Sequence, residues 1–170
     1  MRSSRQPDLD ASDLRIALVV SRQHEEISSR LLRGALEALR ARGLPDPPDV
    51  TWVPGPMDLP LAALNLAESS RYDALVALGA VIDDETLQLQ YLAGECARGL
   101  MHVQLDTGVP CAFGVLTTLD REQAQARSGP KSNRGAEAAE AAIEMANVLR
   151  GLQELDAEDT AEDREEPTQA

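Results

Sequence analysis

The stretch V-I-D-D-E-T-L-Q-L-Q-Y, from Val81 to Tyr91, follows the apolar run D-A-L-V-A-L-G-A and has the pattern of a strand, a turn and a helix. The start of a helix is a usual place to bind an anion, because its first backbone N–H groups have no intrahelical partner. Here the turn carries Asp83, Asp84 and Glu85, and a carboxylate repels a phosphate unless it points away or pairs with a cation. As structure alone, we favour Asp83 and Asp84 as a helix N-terminal cap, which the helix dipole stabilises.

The cations and imidazoles that could complete a site at this turn lie elsewhere in the chain. Arg127 and Lys131 lie in R-S-G-P-K-S-N-R-G, and either side chain could bind a phosphate or pair with Asp83. His24 and His102 are the two histidines, and imidazole is the side chain that titrates near neutral pH. The simpler interpretations are a surface ion pair for Arg127 and an exposed loop position for His24. The functional interpretations are an anion ligand and a general base.

The composition fits one soluble domain and argues against a nucleic-acid partner. The 170 residues are 43% apolar and only 2% aromatic, so the core is aliphatic, and Trp52, Tyr72, Tyr91 and Phe113 are the only rings that could stack on a ligand. The formal charge is −13, whereas binding to nucleic acid needs clustered lysine and arginine. Much of this charge is local, because residues 151–170 hold eight acids and one arginine.

The cysteines and the first residues bear on the compartment. Cys96 and Cys111 fall in different predicted elements and form no C-x-x-C pair, which argues against a disulfide framework. The opening residues, M-R-S-S-R-Q-P-D-L-D, lack the apolar segment of a secretory signal, and no apolar run approaches the length of a membrane span. We therefore expect a soluble cytoplasmic protein without a membrane partner.

Strand and helix patterns alternate along the chain. Four short apolar runs predict strands at Arg15–Val20, Val50–Val53, Asp73–Val81 and Pro110–Leu116. Apolar spacing and stop signals predict helices from Ile27 to Gly43, Met57 to Ser70, Thr86 to about Gln104, Arg121 to Arg127 and Gly135 to Leu149. This alternation predicts an α/β protein, a three-layer α/β/α sandwich around a four-stranded parallel sheet that binds its ligands at the carboxyl ends of the strands.

The same patterns divide the chain into three predicted parts. Residues 1–13 are polar and predict a flexible N-terminal arm, and residues 14–150 predict the folded domain. Residues 151–170 are poor in apolar side chains and rich in like charges, which predicts a disordered acidic tail.

Four stretches meet at the predicted ligand-binding edge: S-R-Q-H, P-G-P-M-D, A-V-I-D-D-E-T and F-G-V-L-T-T. In this order they resemble the lumazine synthases, the penultimate enzymes of riboflavin biosynthesis, and the resemblance runs from about Arg15 to Leu149. It is carried by V-P-G-P-M-D-L-P-L-A-A, Y-D-A-L-V-A-L-G-A-V-I, F-G-V-L-T-T and N-R-G-A-E-A-A-E-A-A-I-E-M-A-N-V-L. The spacing between F-G-V-L-T-T and A-I-E-M-A-N makes this signal more specific than a single glycine-rich loop.

The resemblance implies a flavodoxin-like sheet, a reaction and an assembly. Lumazine synthases condense 5-amino-6-ribitylaminouracil with 3,4-dihydroxy-2-butanone 4-phosphate, and they need neither a metal nor an organic cofactor. They form pentamers with active sites between neighbouring subunits, and in some members twelve pentamers form a hollow shell. The alanine-rich helix A-E-A-A-E-A-A-I-E-M-A is explained by helix propensity alone or, by the resemblance, by packing around a pentamer axis.

The resemblance also assigns residues to the two substrates. Arg127 matches the arginine that holds the substrate phosphate, and Glu85 and Thr86 match the helix-opening pair whose backbone N–H groups face it. The positions that line the pyrimidine pocket correspond to Ala80, Val81, Ile82 and Phe113. Lys131 and Arg134 match the following basic loop only loosely, because that loop is one residue shorter here.

Three departures from the family pattern change the binding pocket. Gln23 falls where the family has an aromatic ring that stacks on the pyrimidine, and such stacking contributes roughly 1–3 kcal/mol. Met57 replaces a phenylalanine. Asp58 replaces the glutamate that binds the ribityl hydroxyl groups and is one methylene shorter.

Two further departures change charge and proton transfer. Asp83 and Asp84 replace an Arg-Gly pair, so negative charge stands where the family has positive charge beside the phosphate. Gln88 replaces the histidine taken as the proton-transfer residue, and an amide cannot titrate. General acid–base catalysis typically contributes about 10²–10⁴-fold, so its loss slows a reaction whose substrates are still oriented. His24, beside the lost aromatic, is a speculative substitute.

Three functional hypotheses follow. The first is a lumazine synthase with altered or reduced activity. The second is a homologue that has lost catalysis and acts as a shell-forming, ligand-binding or scaffold protein. The third is an unrelated doubly wound nucleotide-binding protein, which is disfavoured because G-x-G-x-x-G and G-x-x-x-x-G-K-[ST] are both absent.

Overall fold

Four apolar runs form one parallel sheet in the order β2-β1-β3-β4. The structure is a computed structural model that describes the backbone of residues 8–83 and 88–165 and the side chains of residues 8–83 and 90–155. The strands are β1 (Ile16–Ser21), β2 (Asp49–Val53), β3 (Ala74–Ile82) and β4 (Cys111–Thr118). The helices are α1 (Glu25–Ala41), α2 (Leu59–Glu68), α3 (Gln88–Thr107), α4 (Arg121–Ala126) and α5 (Arg134–Glu165). The predicted three-layer α/β/α architecture with a flavodoxin-like sheet is confirmed.

Neighbouring residues of the central strands face opposite layers. In β1, Leu18 and Val20 belong to the core shared with α1 and α5, whereas Ala17 and Val19 belong to the core shared with α2 and α3. Because helices cover both faces, every residue of β1 is buried and the strand reads as a continuous apolar run. The sheet is thereby fixed in register, with its carboxyl ends together at one edge.

Asn133 joins α1, α5 and a small hairpin between α4 and α5. Its side-chain Nδ2 donates to the backbone oxygens of Arg30 at 3.0 Å and Ser128 at 3.2 Å. Its Oδ1 accepts from the backbone nitrogens of Gly135 at 2.9 Å and Ala136 at 3.2 Å. One amide therefore caps α5 and holds it against α1.

Two glycines allow α1 and α5 to approach closely at this point. A Cβ on Gly135 would lie 2.1 Å from the backbone oxygen of Leu31, and a Cβ on Gly34 would lie 2.3 Å from the Asn133 side chain. The buried alanines of α5, Ala138, Ala139, Ala142 and Ala146, continue the same small-residue packing in the core shared with α1. The small residues thus serve packing within the chain, while packing around a pentamer axis stays a prediction.

The amino ends of β1 and β3 are joined by Arg15 and Asp73. The backbone N–H of each residue donates to the other at 2.8 Å, and the guanidinium donates to the carboxylate at 3.2 Å. Burial raises the pKa of Asp73, but the hydrogen bonds and the charge of Arg15 lower it more, so the net pKa lies below its ordinary value. This ionised carboxylate stabilises the fold at neutral pH, and its contribution is lost as the pH falls through the lowered pKa.

Both cysteines are free thiols in the α2–α3 layer. Burial raises the pKa of Cys96 to about 11, and burial together with the neighbouring Cys96 raises the pKa of Cys111 to about 12. Both thiols are therefore protonated at neutral pH and act as small apolar core groups. No helix within the described ranges is long and apolar enough to cross a membrane.

Two elements differ from the sequence prediction. The closing helix continues past the predicted end at Leu149 to Glu165, because extending an existing helix needs no new nucleation and no glycine or proline occurs between Leu152 and Glu165. A two-residue hairpin, β5 (Ser128–Gly129) with β6 (Ser132–Asn133), was not predicted. The predicted start of α3 at Thr86 and residues 166–170 lie outside the described residues, and the division into arm, domain and tail stays a prediction.

We expect Gly135→Ala to lower the free energy of unfolding by about 2 kcal/mol or more, because the added methyl meets backbone that cannot move aside. Gly94→Ala is the matched control: Gly94 lies inside α3 with nothing within 4 Å of its added Cβ, so the change should stabilise the helix by up to about 1 kcal/mol. Urea unfolding of both variants measures the difference. Equal effects of the two substitutions would contradict the close crossing of α1 and α5.

Candidate active site

The carboxyl ends of the four strands form one continuous edge. The backbone nitrogen of Arg22, after β1, donates to the oxygen of Val53 at the end of β2 at 2.8 Å. The backbone nitrogen of Asp83, after β3, donates to the oxygen of Thr118 at the end of β4 at 2.9 Å. These bonds extend the pairing past the strands, so the segments that follow each strand are held side by side.

The turn after β1 places Gln23 and His24 at this edge. Gln23 is exposed, and His24 is half-buried at the start of α1. His24 has the left-handed backbone conformation, with φ 55° and ψ 49°, which is uncommon for a residue other than glycine. Its carbonyl oxygen accepts from the backbone nitrogen of Ile27 at 2.9 Å, so it opens α1.

The turn after β2 carries Met57 and Asp58, and it places Asp58 near Gln23. Asp58 Oδ2 accepts from the backbone nitrogen of Gly55 at 2.9 Å, and Gly55 O accepts from the backbone nitrogen of Asp58 at 3.1 Å. The carboxylate thus caps the 3-10 turn Pro56–Asp58 that leads into α2. Both Met57 and Asp58 remain exposed.

At the end of β3, a ligand would meet mainly backbone groups and few side chains. The side chains of Ala80 and Val81 are buried in opposite core layers, and Ile82 is half-buried against the α1–α5 layer. A ligand at this edge would therefore meet the peptide groups of residues 80 and 81. The predicted Asp84, Glu85 and Thr86 lie outside the described residues.

Two of the residues considered for proton transfer lie on α3. Gln88 is the first residue of this helix, with only its backbone described. His102 is exposed on the same helix, roughly 20 Å further along the axis at 1.5 Å per residue. His102 thus lies far from the edge where α3 begins, which leaves His24 as the histidine at that edge.

A cavity of about 350 Å³ lies beside β4 and contains the predicted cation. Its lining residues are Phe113, Val115, Leu116, Thr117, Arg127, Ser132, Arg134 and Glu137. β4 is the last strand in the sheet order, so one of its edges is unpaired within the described residues. The hairpin β5–β6 holds two lining residues together, since the backbone nitrogen of Arg134 donates to the oxygen of Arg127 at 2.9 Å.

Arg127 is the cation that this cavity presents for an anion. Arg134 is paired with Glu137 at 2.8 Å, whereas the ion pairs between described residues do not include Arg127. The guanidinium of Arg127 is exposed and makes one long hydrogen bond, to Gln123 O at 3.4 Å. Lys131 is exposed at the turn of the hairpin and does not line the cavity.

A groove of larger volume than this cavity lies on another part of the surface. A groove of about 610 Å³ lies between α1 and the hairpin and contains Arg30 and Arg33. Arg30 is paired with Glu26 at 2.7 Å, and Glu37 also lines the groove. Its positive charge is therefore largely offset, and none of the predicted site residues lines it.

The predicted residues therefore form two groups. Gln23, Met57, Asp58 and Ile82 lie around the ends of β1, β2 and β3, and Phe113 shares the cavity beside β4 with Arg127. Sequence reasoning missed Glu137 and the serines that position Gln23, Ser21 and Ser28. The only signal for Glu137 was its position three residues after Arg134, which is the spacing of an ion pair on a helix. The serines gave no signal beyond being polar next to apolar runs.

A parallel sheet of this order, with polar groups gathered at the carboxyl ends of its strands, defines a flavodoxin-like α/β protein, a class of fold in which ligands bind at that edge. The particular family follows from the chain itself. Residues 13–150 match the family model of 6,7-dimethyl-8-ribityllumazine synthase. The chain belongs to the lumazine synthase family, a transferase family of riboflavin biosynthesis.

We expect Arg127→Ala to weaken the binding of inorganic phosphate by about 1.5–3 kcal/mol, the usual contribution of a hydrogen bond to a charged group. Arg98→Ala is the matched control, because it removes the same charge from an exposed ion pair on α3, with Glu95. Calorimetric titration with phosphate at low salt measures both. If the two variants lose the same affinity, phosphate senses only net charge and the cavity is not its site.

Proposed function

We propose that the protein is a lumazine synthase of altered or reduced activity, which condenses 5-amino-6-ribitylaminouracil with 3,4-dihydroxy-2-butanone 4-phosphate to 6,7-dimethyl-8-ribityllumazine. The reaction takes place in the cytoplasm and uses neither a metal nor an organic cofactor. The observation that carries the proposal is the cavity beside β4, where Phe113 and the cation Arg127 lie together. Family membership supplies the reaction class.

The parts of this site match the needs of the two substrates. A guanidinium binds a phosphate through two parallel hydrogen bonds, and Phe113 offers a ring next to it for a planar heterocycle. The exposed polar groups Gln23 and Asp58 are available to the ribityl chain. Imine formation, loss of phosphate and ring closure need proton transfers, but most of the acceleration can come from holding both substrates in position.

Proton transfer is the step in which this protein departs from its family. An amide at position 88 cannot accept or release a proton at neutral pH. His24 lies at the carboxyl end of β1, half-buried and next to Gln23, and is the described imidazole at this edge. We assign it a supporting role as an acid–base group, with water as the other proton carrier.

The two groups of site residues support a site shared between copies. Phe113 and Arg127 lie at the outer edge of the sheet, whereas Gln23 and Asp58 lie at the ends of its other strands. The α2–α3 layer also leaves large apolar side chains exposed in a single chain, with Leu61 67% and Leu105 74% accessible. A neighbouring copy would cover such a surface. We propose a pentamer, or a shell of twelve pentamers, with each site completed by a neighbour's Phe113 and Arg127.

Light scattering should give a mass several times that of the 18.3 kDa chain. If phosphate bridges two copies, it binds the assembly more tightly than the separate chain, so it should shift dissociation to lower protein concentration. Arg127→Ala should remove this shift, and Arg98→Ala should keep it. A stable monomer at micromolar concentration, with or without phosphate, would contradict the shared site.

The assay for the function is lumazine fluorescence with both substrates, measured above the uncatalysed reaction. We expect the protein to accelerate product formation and Gln88→His to increase turnover by about tenfold or more, because it restores a titrating group. The gain should follow the protonation of an imidazole, with a midpoint near pH 6.5. Gln88→Asn, which changes the side chain without adding a titrating group, should give no gain.

A second candidate is a homologue without catalysis that forms a shell, binds a ligand or acts as a scaffold. It is favoured by Asp83, a carboxylate at the carboxyl end of β3 where the family has a positive charge, and by the amide at Gln88. An assembled protein that binds phosphate but does not accelerate the reaction, even as Gln88→His, would establish this second function in place of the first.

A further inference from the structure

Gln23 is held in place by two serines from the core. Its backbone nitrogen donates to Ser21 Oγ at 3.2 Å, and its backbone oxygen accepts from Ser28 Oγ at 3.4 Å. Both serines are fully buried, and Ser21 lies tightly against Gly79, where an added Cβ would be only 3.1 Å from Ser21 Cβ. Burying hydroxyl groups is unfavourable unless they are hydrogen-bonded. These contacts fix the position of the Gln23 backbone at the sheet edge.

The side chain of Gln23 reaches the turn after β2. A Cβ placed on Gly55 would lie 3.5 Å from Gln23 Oε1 and 3.6 Å from Asp58 Oδ2, so the two oxygens flank one point. Gly55 is extended, with φ −147° and ψ 174°, a conformation that any residue adopts. The backbone therefore does not require glycine here. Its missing side chain leaves a small niche between an amide and a carboxylate, which we call the Gly55 niche.

We propose that Gln23 and the Gly55 niche are specificity determinants that, with Asp58, bind hydroxyl groups of a polyol chain. The inference rests on the proposed function, which supplies a ribityl-bearing pyrimidine and the role of Asp58. Gln23 and Gly55 extend it: the site selects its substrate by the polyol chain instead of by stacking on the ring.

The chemistry of the three groups fits neighbouring hydroxyls. A hydroxyl both donates and accepts, and the Gln23 amide offers one group of each kind. The Asp58 carboxylate accepts only, and its hydrogen bonds are strengthened by its charge. A planar ring gains little binding energy from this niche, because the oxygens of Gln23 and Asp58 offer no aromatic face on which it could stack. An amide in place of an aromatic ring at position 23 therefore weakens binding of the pyrimidine ring and strengthens binding of the polyol chain.

Two probes that differ only in the polyol test this inference: 5-nitro-6-ribitylaminouracil and 5-nitro-6-methylaminouracil, each titrated calorimetrically into the assembled protein. We expect the ribityl probe to bind at least tenfold more tightly than the methyl probe. Gln23→Leu should weaken the ribityl probe about five- to tenfold, the effect of one hydrogen bond. Gly55→Ala should weaken it to a similar extent, because the added methyl group occupies the niche between the two oxygens. Both variants should leave the affinity for the methyl probe within about twofold.

Gln153→Leu, an exposed glutamine on α5, is the matched control and should change neither probe. Gly55→Ala is compatible with the backbone, so its melting temperature should equal or exceed that of the unmutated protein. If both probes bind equally well, or if the two variants weaken both probes alike, the polyol niche is wrong while the proposed function stands. If the unmutated protein binds neither probe, the proposed function fails and the niche with it.

Discussion

The close crossing of α1 and α5 is the constraint on which the rest of the structure depends. Gly34 and Gly135 remove the side chains that would keep the helices apart, and Asn133 fills the remaining space with four hydrogen bonds. The same asparagine is the last residue of the hairpin between Arg127 and Arg134, two residues that line the cavity beside β4. Helix packing and the position of Arg127 are therefore determined together, and a change at the crossing alters the cavity that contains Arg127 without touching it.

Much of the fold could be predicted from the sequence because both faces of the sheet are buried. Burial on both faces makes β1 and β3 continuous apolar runs, and the helices between them follow from spacing and stop signals. The hairpin β5–β6 escaped prediction, since two-residue strands carry no periodicity, and Asn133 gave no sign of joining three elements. The helix α5 ends beyond the predicted Leu149, because the few apolar side chains and the like charges after Gly151 predict disorder, whereas an existing helix can be extended without a new nucleus.

The grouping of the predicted site residues could not be read from the sequence. The resemblance assigned Phe113 to the pyrimidine and Arg127 to the phosphate. The structure puts both residues in one cavity at the outer edge of the sheet. Sequence spacing cannot reveal this, because the two-residue strands of the hairpin pair through backbone hydrogen bonds that leave no side-chain pattern. Likewise Gln23 could be identified only as a lost aromatic. Its contact region with Gly55 and Asp58 depends on the lateral alignment of β1 and β2, which no local pattern encodes.

The length of α5 collects negative charge at the end of one helix. The helix continues to Glu165, and the segment from Glu154 to Glu165 holds seven acids and one arginine. The residues of α5 that belong to the core end at Ala146, whereas Leu152 and Leu155 are exposed. Charges of one sign on one copy repel the same charges on a second copy, most strongly at low salt. Association of two copies is therefore favoured in orientations that keep these helix ends apart.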